Sequence, residues 1–215
     1  MSAFKKTTMK EQVYHLIKER ILNQTYSFGE KINMLELSQE LGISNSPIRE
    51  ALSLLESERL VSFTPNAGPS VVNMDAAFFN ETKQAAIVFL LGSYDQCLQH
   101  NRIPELISEM ENCLSRQKKL IHDQSPESNH EFARISIEFD FSLVRVLQNQ
   151  IVEHMYSHFS NLLLLVVLYD HQLHNADRKK NIAEHELILE AIKSGNSEEV
   201  RKSFYAHYNR YIDQP

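Results

Sequence analysis

With 215 residues the chain is long enough for one large or two small domains, each able to bury a core. Five glycines, six prolines and no tryptophan, beside many Leu, Glu, Lys, Ile and Ala, fit a mainly helical protein and argue against glycine-rich nucleotide-binding α/β folds. The net charge of −6 points away from nucleic acid, but residues 1–73 carry eight Lys/Arg and eight Glu, so the acidity lies wholly in the remainder. A neutral N-terminal module would have to bind DNA through a few well-placed contacts and through dimerisation.

The opening residues lack the apolar core of a signal peptide, and the longest apolar run, Leu162 to Tyr169, is too short to span a bilayer. The expectation is a cytoplasmic protein with no membrane partner. Cys97 and Cys113 lack metal-ligand spacing and read as reduced, core-filling thiols.

Val13, Leu16, Ile17, Ile21 and Leu22 recur at helical spacing and predict a first helix over residues 10–24. A second, short helix is expected from Met34 to Leu41, stopped by Gly42. A third should start with Ser46 as N-cap and Pro47 at the first helical position, burying Ile48, Leu52 and Leu55 and leaving Asn45, Ser46, Arg49, Ser53 and Glu56 outward. Two β-prone runs follow, Leu60–Thr64 and Pro69–Asn73, joined by Pro65-Asn66-Ala67-Gly68 as a hairpin. Helix, helix, turn, helix, hairpin is winged-helix order.

From Asp75 onward the pattern predicts six helices, at about 75–98, 103–122, 127–148, 150–174, 179–194 and 197–212, with no convincing strand. Phe132 to Leu147 is apolar on nearly every face and is the expected central helix, whose polar members need partners or a ligand. The fold expectation is therefore mainly α: a winged helix-turn-helix over residues 1–74 and an all-α helical bundle over 75–215.

Residues 37–72, LSQELGISNSPIREALSLLESERLVSFTPNAGPSVV, closely resemble the winged-helix domain of the GntR family of bacterial regulators. The resemblance is carried by Ser44 to Leu52, by Leu55 to Val61 and by Ala67-Gly68. It implies that the start of the third helix enters the major groove of double-stranded operator DNA while the wing touches the minor groove. Ser44, Asn45, Ser46 and Arg49, with Asn66 and Gly68 in the wing, are then the expected contacts, Arg49 foremost because its fork can bind guanine or phosphate. Asn45 and Ala67 stand where the family usually has basic residues, which removes positive charge.

Residues 183–210, AEHELILEAIKSGNSEEVRKSFYAHYNR, resemble the end of the all-helical effector-binding domain of the FadR-type subgroup, the FCD domain. Independently of that, His185 shares a helical face with Ile188, Leu189 and Ile192, and His207 with Val200, Phe204 and Tyr211, so both should point inward. Two such histidines can converge on a metal or a carboxylate, although each also fits as a hydrogen-bonded core residue.

The resemblance implies a divalent metal, zinc or nickel, held by an Asp and a His four residues later on the central helix and one His from each of the last two helices. Aligned on Phe141, the first two positions are Glu138 and Ser142, and the tentative metal and effector set is Glu138, Ser142, His185 and His207, with Ser142 a poor ligand. Asp140 is expected to lie about 200° away on the helix. His154 with His158 and His171 with His174 have helical pair spacing but read as solvated or capping imidazoles.

The resemblance thus implies a homodimeric, ligand-responsive regulator, by family habit a repressor, whose operator affinity is set by a small molecule, often a carboxylate, in the helical domain. Two rivals stand beside it. One is a DNA-binding dimeric adaptor whose helical domain takes no small-molecule ligand. The other is a metal-dependent hydrolase, which lacks a recognisable nucleophile or second catalytic base; the expectation is that the chain is not an enzyme.

Overall fold

The computed structural model describes residues 7–123, 125–174 and 177–209, the side chains of 170–174 and 209 excepted. The chain divides into two compact units between Met74 and Asp75.

In the first unit, α1 (Met9–Leu22) opens with a capping box, in which Thr8 accepts from the Glu11 N–H and Glu11 accepts from that of Thr8. Its Val13, Ile17 and Ile21 are buried. Asn33 caps α2 (Met34–Leu41), and Gly42, at φ +63°, ends it in the left-handed conformation that costs glycine least.

The third helix, α3 (Asn45–Ser57), begins two residues earlier than Ser46 would place it: Ser44 is the N-cap and makes no side-chain capping bond. Pro47 is therefore the third helical residue, where its missing N–H is still harmless because a helix's first four N–H groups have no intrahelical partner. Ile48, Ala51, Leu52 and Leu55 are buried, and α3 packs against α1 and α2.

Strands β1 (Val61–Thr64) and β2 (Gly68–Val71) pair antiparallel, Val61 opposite Val71 and Thr64 opposite Gly68. The turn needs Asn66 at φ +65° and Gly68 at φ +84°, conformations that asparagine and glycine tolerate best. The wing has one feature that short-range patterning misses. Lys31 bridges Ser70, and Ile32 N–H donates to Pro69 O at 2.9 Å, so the segment before α2 backs the hairpin's second strand.

In the second unit, α4 (Ala76–Gln99), α5 (Ile103–Lys119), α6 (Pro126–Arg145), α7 (Gln150–His174), α8 (Arg178–Ser194) and α9 (Ser197–Asn209) form an all-α bundle. The last residues of the predicted final helix, 210–212, lie outside the described ones. Helix α6 packs against α4, α5 and α7, and Phe132, Ala133, Phe139, Leu143 and Val144 are fully buried, as expected of a central helix. Residues Gln150–Tyr169 of α7 are long and apolar enough to cross a membrane, yet Tyr156, Leu163, Leu164, Leu165, Val166 and Leu168 are buried in the bundle. Cys97 and Cys113 are free, buried thiols, and burial pushes both thiols upward in pKa, away from reactivity.

Candidate functional site

Helix α6 brings one carboxylate inward, and it is Asp140 rather than Glu138. The charged residues Glu127, Glu131, Arg134, Glu138 and Arg145 recur at helical spacing and form the helix's solvent stripe. Within that stripe Glu138 pairs with Arg116 of α5. Ser142 is buried, but its hydroxyl donates to the Glu138 carbonyl at 3.0 Å and lies 4.0 Å from the Cys113 sulfur, facing α5. Glu138 and Ser142 therefore leave the candidate metal set. The two-residue rotation that excluded Asp140 in the Phe141 alignment is what carries it to the opposite face, toward the histidines.

Asp140 of α6, His185 of α8 and His207 of α9 are all buried, and each offers a ligand atom within 4.8 Å of the others. His185 stacks flat on Phe139, the ring centroids 4.1 Å apart at 3°. Its Nδ1 lies 2.9 Å from Gln117 Oε1. Gln117 Nε2 in turn donates to Asn181 Oδ1 at 3.1 Å, so the Gln117 oxygen must accept and His185 Nδ1 must carry the proton. The unprotonated nitrogen of a neutral His185 is then Nε2.

His207 Nδ1 lies 2.9 Å from Glu184 Oε2, and a carboxylate can only accept, which again leaves Nε2 as the second ring nitrogen. Orienting a histidine through its outer N–H by a carboxylate or an amide oxygen is how proteins prepare metal-ligating imidazoles.

Asp140 completes the group. Its Oδ2 accepts from Tyr208 Oη at 2.5 Å, while Oδ1 is buried with no hydrogen-bond partner. Burial pushes its carboxyl up to about 6, against the pull of the His207 imidazole and the Tyr208 hydroxyl. A buried carboxylate oxygen without a donor, beside two imidazoles oriented from outside, is a donor set that a divalent cation satisfies.

One helical turn beyond Asp140, where the resemblance implies a histidine, stands buried Val144. The residues thus fit a metal with three protein ligands instead of four. An enclosed cavity of about 20 Å³ adjoins the group, lined among others by Lys83, Asp140, Val166, His207 and Tyr208. That is room for one water or ion.

His154 and His158 pack edge to face, 4.8 Å between centroids, and neither joins the acceptor group. The side chains of His171 and His174 lie outside the described residues.

In the first unit, Ser44, Asn45, Ser46 and Arg49 are exposed together at the start of α3, and Asn66 is exposed at the tip of the wing, two residues before Gly68. Ser46 is turned along the helix, its hydroxyl 3.3 Å from Glu50. Arg49 forms no ion pair among the described residues.

Comparison with known proteins gives these features a common setting. The model of bacterial regulatory proteins of the gntR family matches residues 9–71, and that of the FCD domain matches residues 98–210. The chain is similar to an uncharacterized HTH-type transcriptional regulator, YdhC, of Bacillus subtilis, 28% identical over 209 residues, covering 92% of this chain and 87% of that protein. It is similar to a gluconate operon transcriptional repressor of Bacillus licheniformis, 20% identical over 197 residues, covering 90% and 79%. Among solved structures, E. coli McbR/YncC shares the fold, with a TM-score of 0.71, 19% identity and 96% of each chain covered. Winged helix, wing and all-α FCD bundle occur here in one chain, which belongs to the GntR family of bacterial transcriptional regulators, in the branch that carries an FCD domain.

Proposed function

We propose that this regulator is a cytoplasmic repressor whose operator affinity is set by a small carboxylate bound beside a divalent metal in the helical unit. The observation that carries this reading is the buried Asp140, His185 and His207 group, with both histidines oriented through Nδ1. A metal bound there would act as a Lewis acid toward an anionic oxygen. Lys83 lines the adjoining cavity and adds an ammonium suited to a carboxylate. The likeness to a gluconate operon transcriptional repressor supports repression, and the operon in that name is one for a sugar acid. A cavity of about 20 Å³ is too small for such an acid, so its entry must part the helices around it, and that movement is available to alter DNA binding.

Homodimerisation is supported by neighbouring helices α4 and α7, which pack together and expose Val88 (74%), Ile151 (74%) and Met155 (55%). Exposed apolar side chains on two packed neighbouring helices suit a surface that a second copy of the chain covers. Each winged helix of the dimer then reads one half of a near-palindromic operator.

The test is a selection of bound duplexes from a random pool, followed by melting and operator binding of zinc-loaded protein across a panel of small carboxylates. A near-palindrome should emerge, and at least one acid should raise the melting temperature of the helical unit and change operator affinity. If no acid changes either quantity, the adaptor reading takes its place.

The DNA-facing residues give a separate expectation. Asn45 is exposed at the first position of α3, so Asn45→Arg should steepen the dependence of log affinity on log salt by about one unit, the contribution of one added phosphate contact. An unchanged slope would place residue 45 away from the backbone.

A further inference from the structure

The centre around Asp140 has one helix-borne donor on α6. The residues one turn away, Ser136, Ile137, Leu143 and Val144, are all buried. Ser136 is directed to Asn181 Oδ1 at 3.4 Å, and the other three are apolar. What holds the Asp140 carboxylate comes instead from α9, where Tyr208 Oη donates to Oδ2 at 2.5 Å.

The terminal torsion of an aspartate is broad and roughly two-fold, so one hydrogen bond decides which oxygen faces the histidines. The other oxygen, Oδ1, is buried with no hydrogen-bond partner. Resting on the metal-centre reading above, we propose that Tyr208 is a positioning residue of a three-donor cation site: by holding Oδ2 it presents Oδ1 to an ion shared with His185 and His207.

This arrangement explains why Tyr208, 5% exposed, places its hydroxyl in the bundle interior beside a carboxylate. His207 and Tyr208 are consecutive, so one turn of α9 supplies a ligand and also the group that orients a ligand on α6. Binding an ion therefore ties α9 to α6 through two links. With three protein donors, a four-coordinate ion keeps a position for water or an anion, and the cavity bordered by Asp140, His207 and Tyr208 has room for one water.

The experiment is a double-mutant cycle read by calorimetric titration of zinc into metal-free wild-type protein, Tyr208→Phe, Asp140→Asn and the double variant, each shown folded by circular dichroism. Tyr208→Phe should weaken zinc binding by about 10- to 100-fold, the range for losing a group that orients a ligand. In the Asp140→Asn background the same change should cost no more than about two-fold, because the oriented carboxylate is already gone.

An equal loss in both backgrounds would show that Tyr208 acts through packing, and it overturns the proposal. So does wild-type affinity in Tyr208→Phe, in which case the metal centre stands without Tyr208. If wild-type protein takes up no zinc, the metal-centre reading falls and this proposal with it. Should Tyr208→Phe alone fail to fold, the decision rests on the pair carrying Asp140→Asn, where no buried charge is left unsatisfied. A further loss of affinity there overturns the proposal.

Discussion

Replacing His185 with alanine is expected to abolish zinc uptake, with affinity falling by more than about 100-fold, beyond the upper end of what outer partners of a ligand cost. His185 is fully buried, stacked on Phe139 and fixed by Gln117, so its Nε2 is held in place before any ion arrives. No acidic, histidine or cysteine side chain among the described residues joins the three-residue group to take its place.

The variant also loses the ring stack and leaves Gln117 Oε1 without its donor, so the metal-free protein should melt lower as well. The decisive readout is therefore the zinc-induced change and not the absolute midpoint. At free zinc about 100 times the dissociation constant, binding stabilises the folded wild-type protein by about 2.7 kcal/mol; in His185→Ala that increment should vanish. Elemental analysis of protein purified without chelator or metal-affinity steps gives the same answer independently. Equal zinc content in the two proteins would move the metal elsewhere in the chain.

Arg49→Ala is the second large expected effect. The guanidinium is exposed on the first turns of α3 and forms no ion pair among the described residues, so its loss should change the stability of the winged helix by less than about 0.5 kcal/mol. Operator affinity should fall by about 1–3 kcal/mol, roughly 5- to 150-fold, if the fork holds a guanine edge, with specificity relaxed at that one base pair. A phosphate contact gives a different signature: a uniform loss across sequences and a salt slope shallower by about one. Binding curves on the selected operator and on its single-base variants, at two salt concentrations, separate these. Unchanged affinity under all conditions would remove Arg49 from the DNA contact.

Much of the fold is legible in the sequence alone. The stripes of Val13, Ile17 and Ile21 and of Ile48, Leu52 and Leu55 place α1 and α3 because a helix that buries one face must repeat its apolar residues every three or four positions. Asn66 and Gly68 announced the wing's turn, since few other residues accept positive φ. The six helices of the bundle were equally visible. The start of α3 lies two residues before the one Ser46 predicts: Ser44 and Ser46 are both good caps, and the choice between them depends on the chain direction leaving Gly42. The bridge from Lys31 to Ser70 links segments far apart in sequence, and no local pattern encodes it.

The candidate site divides along the same line. His185 and His207 were readable as inward because the apolar neighbours on their own helices define a face. For α6 that logic failed: the helix is buried almost all round, and hydrophobic residues alone give no preferred direction. A usable signal was present in its charges, since Glu127, Glu131, Arg134, Glu138 and Arg145 share one stripe and Asp140 alone lies off it.

By itself, then, the sequence determined the order and type of the elements, the division into a winged helix and a helical bundle, and two of the three residues of the acceptor group. These follow from local periodicity, capping and backbone preference, which act within a few residues. Only the tertiary structure decided that Asp140 is the third member, that Gln117 and Glu184 orient the two imidazoles, and that Tyr208 reaches Asp140. Those relations join α5, α6, α8 and α9 across 23 to 68 positions of sequence, and distances of that kind are set by how helices pack rather than by any one helix.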